Sequence, residues 1–334
     1  MADYYSIRQQ IRFNSKVTGS TWNPETSKWT VEIEGQDDVI ADVIISAVGL
    51  LHVPSKPDFA GAEDFKGEVL HTARWDRDFK PDGKKIAVIG TGATSVQLVP
   101  ALGDMNIEKL TVFQRTATWA PLRGNYHYRK VVKMVFKYVP FVMMLYRWGL
   151  FLRGEVFFMV IFMLKKAESN NLVAKGRDKL QRVIHHMVKK YVRKVVKDPE
   201  TAAKLTPDYL MGCKRITPSD TYLHTFNKPN VSLVTDPIAN FTSDGITTKS
   251  GEHHEFDTIV YATGFDLFKS VNAFKVITKD GLTLSEVHGT SPKAYLGITH
   301  YQCPNYYMIG GPGIVIGHNS VIFIGECQVI QYIL

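Results

Sequence analysis

The sequence contains little cysteine, and its cysteines are not arranged for bonding or metal binding. Cys213, Cys303 and Cys327 are far apart in the 334 residues, are odd in number and form no CxxC pair. This spacing argues against a disulfide framework and a zinc knuckle, and it favours a reducing compartment. Residues 1–13 are polar and lack an apolar segment before a small-residue cleavage site, so we expect no signal peptide and a cytoplasmic location.

The sequence also lacks an apolar run long enough to span a membrane. Residues 134–164 are rich in Phe, Met and Val, but Pro140, Arg147, Arg153 and Glu155 interrupt them. A spanning helix needs about 20 apolar residues without a central charge. Two interpretations of this segment remain: helices packed on the domain, or helices in peripheral contact with a membrane surface.

Acidic residues are scarce in one segment, whose local charge exceeds the net charge of +8 of the whole chain. Residues 165–197 contain eleven Lys or Arg and two acids, and Ile184, Val188, Tyr191 and Val195 recur there at helical spacing. This pattern predicts an amphipathic helix with a solvated basic face. No nucleic-acid-binding module accompanies the charge, so we expect no nucleic-acid partner. No histidine has Cys, His or carboxylate partners at ligand spacing, and no metal site is predicted.

The rest of the chain alternates strand and helix patterns, which predicts an α/β fold with more than one parallel sheet unit. Strand patterns occur at residues 28–35, 39–49, 109–114, 231–235, 256–261 and 306–309. By length, the chain is sufficient for about two domains.

A strand, a glycine turn and a helix at residues 85–102 form the strongest chemical signal. Gly90 and Gly92, with Ser95 in the third position, match the GxGxx(G/A/S) arrangement of dinucleotide-binding turns. Gly90 permits the tight turn, Gly92 lets a pyrophosphate approach the backbone, and the small Ser95 lets the helix pack closely on the strand. The helix N-terminus supplies free amide groups to the phosphates.

The end of the next strand indicates which dinucleotide binds. NAD-binding proteins place an acid there, but this strand is followed by Arg115 and Thr116 with no acid. A guanidinium favours a 2′-phosphate, which predicts NADP instead of NAD. The alternative is an arginine that only faces solvent.

An ordered series of motifs extends across nearly the whole chain. The first, FKGEVLHTARWD, fits the pattern FxGxxxHxxxW(P/D) through Phe65, Gly67, His71, Trp75 and Asp76. The others are GTGATSVQ at 90–97, VFQRTATW at 112–119, MGCKRI at 211–216, IVYATGF at 259–265 and PNYYMIGGPGIVIGHNS at 304–320. In these motifs and their order the chain resembles Baeyer-Villiger type flavin-containing monooxygenases of the fungal 4-hydroxyacetophenone monooxygenase-like branch, which is common in secondary metabolism.

The resemblance implies an α/β flavoprotein fold with two Rossmann-like dinucleotide-binding domains and a helical insertion. Residues 1–78 would be the remainder of an FAD-binding domain and the linker. Residues 79–225 would be the NADP-binding domain with the insertion at about 125–205, and residues 226–334 would return to the FAD-binding domain. In the linker motif, we expect a glycine that permits a backbone turn, a histidine that anchors the segment and a tryptophan that packs where the two domains meet.

The resemblance further implies two cofactors and a reaction. NADPH reduces FAD, the reduced flavin activates O2, and one oxygen atom enters a ketone or related lipophilic metabolite. Arg215 matches the catalytic arginine, which stabilises negative charge during oxygenation, and Lys214 matches a residue that pairs with the 2′-phosphate of NADP. The implied cofactor-binding residues are Val17 and Asn319 for FAD, and Thr91, Gly92, Ala93, Thr94, Ser95, Val96, Gln97, Arg115, Thr116 and Lys214 for NADP.

The family's FAD-binding strand and its GxGxxG turn are expected upstream of Met1. Without them, the sheet of the FAD-binding domain would lack its central strands and leave strand edges and apolar faces uncovered. We therefore expect the 334-residue chain to retain FAD weakly or not at all. The alternative function is that of a non-catalytic, truncated paralogue or fragment, which keeps NADP or partner binding without flavin.

Overall fold

Strands and helices alternate along the chain, as the sequence predicts. The computed structural model describes residues 3–125, 127–161, 172–314 and 320–333. The strands are β1 (Val17–Asn23), β2 (Lys28–Ile33), β3 (Val39–Ala41), β4 (Ile44–Ser46), β5 (Glu68–His71), β6 (Lys85–Ile89), β7 (Lys109–Phe113), β8 (Val231–Val234), β9 (Ile238–Phe241), β10 (Gly245–Thr248), β11 (His253–Glu255), β12 (Thr258–Tyr261), β13 (Lys275–Ile277) and β14 (Tyr306–Met308). The α-helices are α1 (Ala93–Gly103), α2 (Lys130–Tyr138), α3 (Pro140–Ile161), α4 (Leu172–Val195), α5 (Pro199–Lys204), α6 (Tyr222–Thr225), α7 (Leu267–Val271), α8 (Leu284–His288) and α9 (Val321–Ile333), and a 3-10 helix covers Ile7–Gln10.

The chain divides into two compact units. Unit 1 comprises Met1–Val53 and Phe265–Leu334, and unit 2 comprises Pro54–Gly264. These bounds differ from the predicted domain limits at residues 78 and 225. The reason is hydrogen bonding between strands, because β5, β8 and β12 all join the sheet that contains β6.

Unit 2 is organised around a five-stranded parallel sheet in the order β5-β12-β6-β7-β8. Its register aligns the last residues of the strands. Tyr261 pairs with His71 and with Ile89, and Phe113 pairs with Ile89 and with Val234. The carboxyl ends of the strands therefore lie along one edge, which is where open α/β sheets bind their ligands.

The alternation of side chains along β6 explains how this sheet buries both of its faces. Ile86 and Val88 belong to a core that also contains the apolar side of α1. Ala87 and Ile89 belong to a second core, to which the antiparallel strands β9 and β10 contribute Phe241 and a neighbouring isoleucine. Successive side chains point to opposite faces of a strand, so a continuous apolar run fits a parallel strand that is covered on both sides.

Unit 1 contains a four-stranded sheet in the order β13-β1-β2-β3 and a separate parallel pair of β4 and β14. The first sheet is anchored by Trp29, which is buried and whose Nε1 donates a 2.8 Å hydrogen bond to the Pro304 carbonyl. In the parallel pair, Ile45 is 54% exposed and the neighbouring Val43 is also exposed. No other described strand pairs with β4 or β14. Parallel strands usually lie inside larger, covered sheets, so the uncovered edges and apolar faces expected from the sequence are present.

Residues 39–49 are divided between the two sheets of unit 1. The sequence predicts one strand there, but β3 pairs with β2 and β4 pairs with β14. Local pattern cannot distinguish one long strand from two short strands in different sheets, because the pairing partner of β4 lies about 260 residues away, as the register of Tyr306 with Ile44 requires.

The basic segment forms the amphipathic helix that its spacing predicts. In α4, Val188, Tyr191 and Val195 pack against the core of unit 2, and Val192 is buried within it. The opposite side of the helix is exposed and includes Lys190. The predicted solvated basic face is therefore confirmed for the described part of this helix.

Helices α2 and α3 belong to the helical insertion and are largely exposed to solvent. In the part of these two helices whose side chains the structure describes, no side chain is buried. Within the described ranges, no single helix has the length and hydropathy to span a membrane, whereas Lys130–Tyr138 and Pro140–Val156 together pass that test as a pair bent by 107°. Packing on the domain therefore does not account for the apolar residues of α2 and α3.

Candidate functional site

The glycine turn lies at the carboxyl edge of the five-stranded sheet, between β6 and α1. Gly90 has φ +113°, a conformation that side chains other than glycine rarely adopt. A Cβ atom at this position would lie 2.6 Å from the Ala262 carbonyl oxygen. The backbone that follows β12 therefore leaves no room for a side chain, and the turn needs glycine for both its torsion angle and its space.

Gly92 is the N-cap residue of α1 and has a different role. A Cβ atom there would meet nothing within 4 Å. No side chain caps this helix end, and its first turn contains no acid. The first amide groups of a helix have no intrahelical partner and carry partial positive charge. The open space in front of them fits a phosphate group of a dinucleotide.

The other residues predicted for this turn differ in what they offer to a ligand. Ser95 and Val96 are buried, and the Ser95 Oγ has no hydrogen-bond partner among the described residues. Ala93 and Thr94 are half-buried at the helix start, whereas Gln97 is exposed. The buried pair packs beneath the turn, so a bound dinucleotide could reach only their backbone amides.

A hydrogen bond joins the glycine turn to the segment that follows β7. The Thr91 Oγ1 donates to the Thr116 carbonyl at 2.7 Å, and the Gly90 amide donates to the Phe113 carbonyl at 3.1 Å. Arg115 lies between these two acceptors and is exposed. It forms no ion pair with any residue that the structure describes. The predicted phosphate-binding turn and the predicted 2′-phosphate arginine therefore occupy the same edge of the sheet.

The segment that contains the predicted catalytic arginine runs beside the residues that follow β7. The Tyr209 hydroxyl donates to the Ala117 carbonyl at 3.0 Å, and the Thr217 amide donates to the Trp119 carbonyl at 2.8 Å. Lys214 lies over the Tyr209 ring, with its Nζ 5.0 Å from the ring centroid. Through these contacts the structure brings Lys214 to the same stretch of backbone that carries the predicted 2′-phosphate arginine.

Arg215 is exposed and makes no ion pair with a described residue. Its position follows from its neighbours, because Met211 is buried against Trp119 in a small core of unit 2. The arginine thus follows a residue that is anchored by apolar packing, and its own side chain is open to an anion.

The linker histidine is a hydrogen-bonded anchor. The His71 Nδ1 accepts a 3.0 Å hydrogen bond from the Ala73 amide, which leaves the proton of the neutral ring on Nε2. That nitrogen lies 3.3 Å from the Ser55 carbonyl oxygen, which also accepts a hydrogen bond from the Thr263 hydroxyl. Burial lowers the pKa of His71 below its ordinary value, and the nearby Arg74 acts in the same direction. The ring therefore ties the end of β5 to the segment at Ser55, to which Thr263 is also bonded.

The linker glycine serves a purpose different from the expected turn. A Cβ atom at Gly67 would lie 2.4 Å from the Phe65 ring and 2.5 Å from the Asp257 carbonyl oxygen. The position therefore requires the absence of a side chain, which allows the buried Phe65 to pack. Trp75 is 37% exposed and contacts the Phe79 ring edge-on at 5.4 Å, a contact within unit 2.

Sequence patterns did not identify the carboxylate that shapes the loop before α2. Asp220 accepts hydrogen bonds from the backbone amides of Arg123, Gly124 and Asn125 at 2.8, 2.9 and 2.8 Å. These bonds, with that of Asn125 the largest contribution, lower the pKa of Asp220. The partners are about 95 residues apart in the chain, and no local spacing marks such a contact.

Of the two predicted FAD-binding residues, the structure describes Val17. Val17 begins β1, pairs with Ile33 and is half-buried. Asn319 lies outside the described residues. The described His, Cys, Asp and Glu side chains form no group of three that could hold a metal ion. No disulfide joins the three cysteines, all of which lie in the described residues.

A parallel sheet with a glycine turn and an exposed arginine at its carboxyl edge defines a Rossmann-like, nucleotide-binding class of protein. The family model described as FMO-like, flavin-binding monooxygenase-like, matches residues 1–212, and the chain belongs to this family. The resemblance predicted from the motifs is thereby confirmed at the level of the flavin monooxygenase family.

Individual relatives extend the similarity beyond the segment matched by the family model. A Baeyer-Villiger monooxygenase of Streptomyces coelicolor is 33% identical over 332 residues, which cover 98% of the chain and 60% of that relative. The closed crystal structure of cyclohexanone monooxygenase has a TM-score of 0.79 at 26% identity and covers 99% of the chain and 67% of that structure. The structure of OTEMO in complex with FAD and NADP has a TM-score of 0.79 at 29% identity, with coverage of 99% and 66%. The chain thus spans about 60% of the length of the Streptomyces relative.

Proposed function

We propose that the chain is part of an FAD- and NADPH-dependent monooxygenase of the Baeyer-Villiger type, which inserts one oxygen atom of O2 into a ketone or related lipophilic metabolite. The observation that carries the proposal is the hydrogen bond between Thr91 and Thr116. It holds an open helix N-terminus and an exposed arginine at one edge of a parallel sheet. Membership of the flavin-binding monooxygenase-like family connects this nucleotide site to flavin chemistry.

In this proposal unit 2 binds NADP. The first amides of α1 contact the pyrophosphate, because Gly92 leaves space in front of them. Arg115 and Lys214 supply positive charge to the 2′-phosphate, and a guanidinium provides paired donors that suit such an anion. The residues Thr91, Ala93, Thr94, Ser95, Val96, Gln97 and Thr116 form the rest of the turn and its supporting contacts.

Unit 1 contributes to FAD binding in the same proposal, with the Val17 backbone and Asn319 as its contacts. FAD, when bound, accepts electrons from NADPH and activates O2. Arg215 holds positive charge beside the oxygen that is transferred, where negative charge develops. The absence of a competing acid partner among the described residues keeps that charge available.

The substrate is proposed to be a small lipophilic ketone of secondary metabolism. A structural relative is named for cyclohexanone, which is a ketone. We place the enzyme in the cytoplasm, and contact of residues 134–164 with a membrane surface would bring it close to lipophilic compounds. No nucleic acid has a part in this function.

The second candidate function is a non-catalytic remnant that binds NADP or a partner without flavin. The isolated two-stranded sheet of β4 and β14 favours it, since an FAD-binding sheet of this class needs more strands. The two candidates share the nucleotide site in unit 2 and differ in flavin binding. They are therefore separated by a measurement on flavin.

The test titrates the purified chain with FAD and then follows NADPH consumption with cyclohexanone and excess FAD. The monooxygenase predicts weak but saturable flavin binding and ketone-dependent NADPH consumption. NADPH binding without any flavin binding would support the remnant instead.

Arg215→Ala should lower product formation about 100-fold while NADPH affinity stays unchanged. The matched control is Arg193→Ala, which removes an exposed arginine of α4. Undiminished product formation in Arg215→Ala would contradict the catalytic role proposed for Arg215.

A further inference from the structure

Helices α2 and α3 present a large apolar surface that nothing in the described chain covers. The chain bends by 107° between the two helices. On α3, Trp148 is 58% exposed and Phe151 is 53% exposed. Together with Met143, Met144 and Arg147 they line an open cavity of about 470 Å³. Soluble surfaces rarely expose contiguous apolar patches of this kind without a binding role.

The exposure is not a sign that the helices lack packing of their own. The Tyr128 and Tyr146 hydroxyls are 2.8 Å apart, and the Phe136 and Tyr146 rings are 5.4 Å apart between centroids. These aromatic contacts hold α2 against α3. The helix pair is therefore a defined element with one side closed internally and the other side left open.

Positive charge predominates around the patch, and Glu155 is the single acid of α3. No Asp or Glu occurs between residues 109 and 154. On α2, Lys130, Lys133 and Lys137 recur at helical spacing, and Met134 and Tyr138 belong to the intervening apolar positions. A helix with lysines on one side and apolar residues on the other suits the plane of a membrane interface.

The same charges argue against two alternatives, a membrane-spanning arrangement and a protein partner. Arg147 and Arg153 lie within α3, and charged residues at the centre of a bilayer are costly, which disfavours a spanning arrangement. Long arginine side chains near an interface can instead extend their heads to the lipid headgroups. The cores of protein interfaces are depleted in lysine, which makes α2 a poor surface for a protein partner.

We propose that the α2–α3 pair binds the surface of anionic phospholipid bilayers without crossing them. The lysines of α2 contact the headgroups, and the side of α3 around Trp148 and Phe151 enters the boundary of the acyl chains. The occupant is a lipid surface, because charge complementarity and apolar exposure occur on the same element. This inference stands independently of flavin or NADP binding.

The test measures flotation of the 334-residue chain with vesicles of phosphatidylcholine plus phosphatidylserine and with vesicles of phosphatidylcholine alone. We expect binding to the anionic vesicles and weak binding to the neutral ones. Each lysine near an anionic surface contributes several-fold to binding, so Lys133→Gln/Lys137→Gln should weaken it by about tenfold or more. Trp148→Glu/Phe151→Glu should abolish it. Met105→Glu/Leu282→Glu, which adds the same charge to exposed apolar positions elsewhere, should still bind.

Folding is checked by circular dichroism of each variant. A milder variant, Trp148→Phe, tests the same contact by tryptophan fluorescence. Lipids brominated on the acyl chains should quench the fluorescence of the unaltered chain, and this quenched component should be missing in Trp148→Phe. Equal vesicle binding by the chain and by Trp148→Glu/Phe151→Glu would overturn the proposal. The proposal would also be overturned if the chain did not bind anionic vesicles and instead formed a dimer that the same double variant dissociates. The occupant of the patch would then be a second copy of the chain.

Discussion

The Thr91 hydroxyl donates a 2.7 Å hydrogen bond to the Thr116 carbonyl, which joins the turn after β6 to the segment after β7. The two residues are 25 positions apart in the chain. Their contact sets the position of the exposed Arg115 relative to the N-terminus of α1. A dinucleotide that extends from a helix N-terminus to a neighbouring strand end would need both at once.

Thr91→Val should weaken NADPH binding about fivefold, which corresponds to the loss of one hydrogen bond. The substitution keeps the shape of the side chain and removes only the donor. The measurement is a fluorescence titration with NADPH. Thr242→Val is the control, because that hydroxyl donates to Asp244 in an exposed turn away from the site. Equal losses in both variants would argue against a role for the Thr91 contact.

Arg115→Ala should reduce the preference for NADPH over NADH by about tenfold or more, because a charge-assisted hydrogen bond to the 2′-phosphate is lost. Affinity for NADH should change little. Both affinities are measured by titration. The control is Lys109→Ala, which removes an exposed cation from the amino end of the same strand. An unchanged preference in Arg115→Ala would leave the arginine as a solvent-facing residue.

Gly90→Ala should mainly lower stability, whereas Gly92→Ala should mainly weaken NADPH binding. Gly90→Ala adds a clash with the Ala262 carbonyl to an unfavourable φ and should cost about 3 kcal/mol of unfolding free energy. Gly83→Ala, at φ +70° with open space, should cost about 1 kcal/mol and isolates the torsion term.

Gly92→Ala meets no atom in the protein and should cost less than about 1 kcal/mol. It should nevertheless weaken NADPH binding, since its methyl group would occupy the phosphate space. Urea unfolding and NADPH titration measure the two properties. A Gly92→Ala protein that binds NADPH normally would contradict the assignment of that space.

His71 should make the stability of the protein fall as the medium becomes acidic. Burial lowers its pKa from the ordinary value of 6.5 in the folded state. The unfolded chain therefore takes up a proton first as the pH falls through 6.5, and stability is lost from there down to the lower folded pKa. Above pH 6.5 the protonation of His71 costs the folded protein no stability.

His71→Gln should reduce the dependence of the unfolding free energy on pH in that window. Urea unfolding above and below pH 6.5 measures it. His186→Gln, at an exposed position of α4, is the control. If both variants keep the full pH dependence, another group is responsible for it.

Much of unit 2 was predictable from sequence because its signals are local. The apolar run of β6, the glycines after it and the helix that follows occupy one continuous segment, so torsion preferences and side-chain period are sufficient. The amphipathic helix α4 was predictable for the same reason, since Val188 and Tyr191 recur at its own period. The role of Gly67 was not, because the atoms that exclude a side chain there belong to Phe65 and Asp257.

The domain limits required the pairing of distant strands. The sequence predicts a strand at residues 256–261 but none at residues 68–71, and only the register of Val69 with Ile259 assigns both segments to the sheet of β6. Such pairing depends on long-range closure of the chain, which local propensity does not encode. The compact unit is therefore wider on both sides than the motif spacing indicates.

The flavin monooxygenase resemblance, the glycine turn and the predicted preference for a 2′-phosphate rest on the amino-acid sequence alone, because each follows from residue types at fixed spacing. Only the tertiary structure decided that Thr91 bonds to Thr116, that Lys214 packs over Tyr209 and that Trp148 is left exposed. These facts depend on which distant surfaces meet and which find no partner. Contact and exposure are properties of the folded chain, whereas torsion preference and charge already belong to its residues.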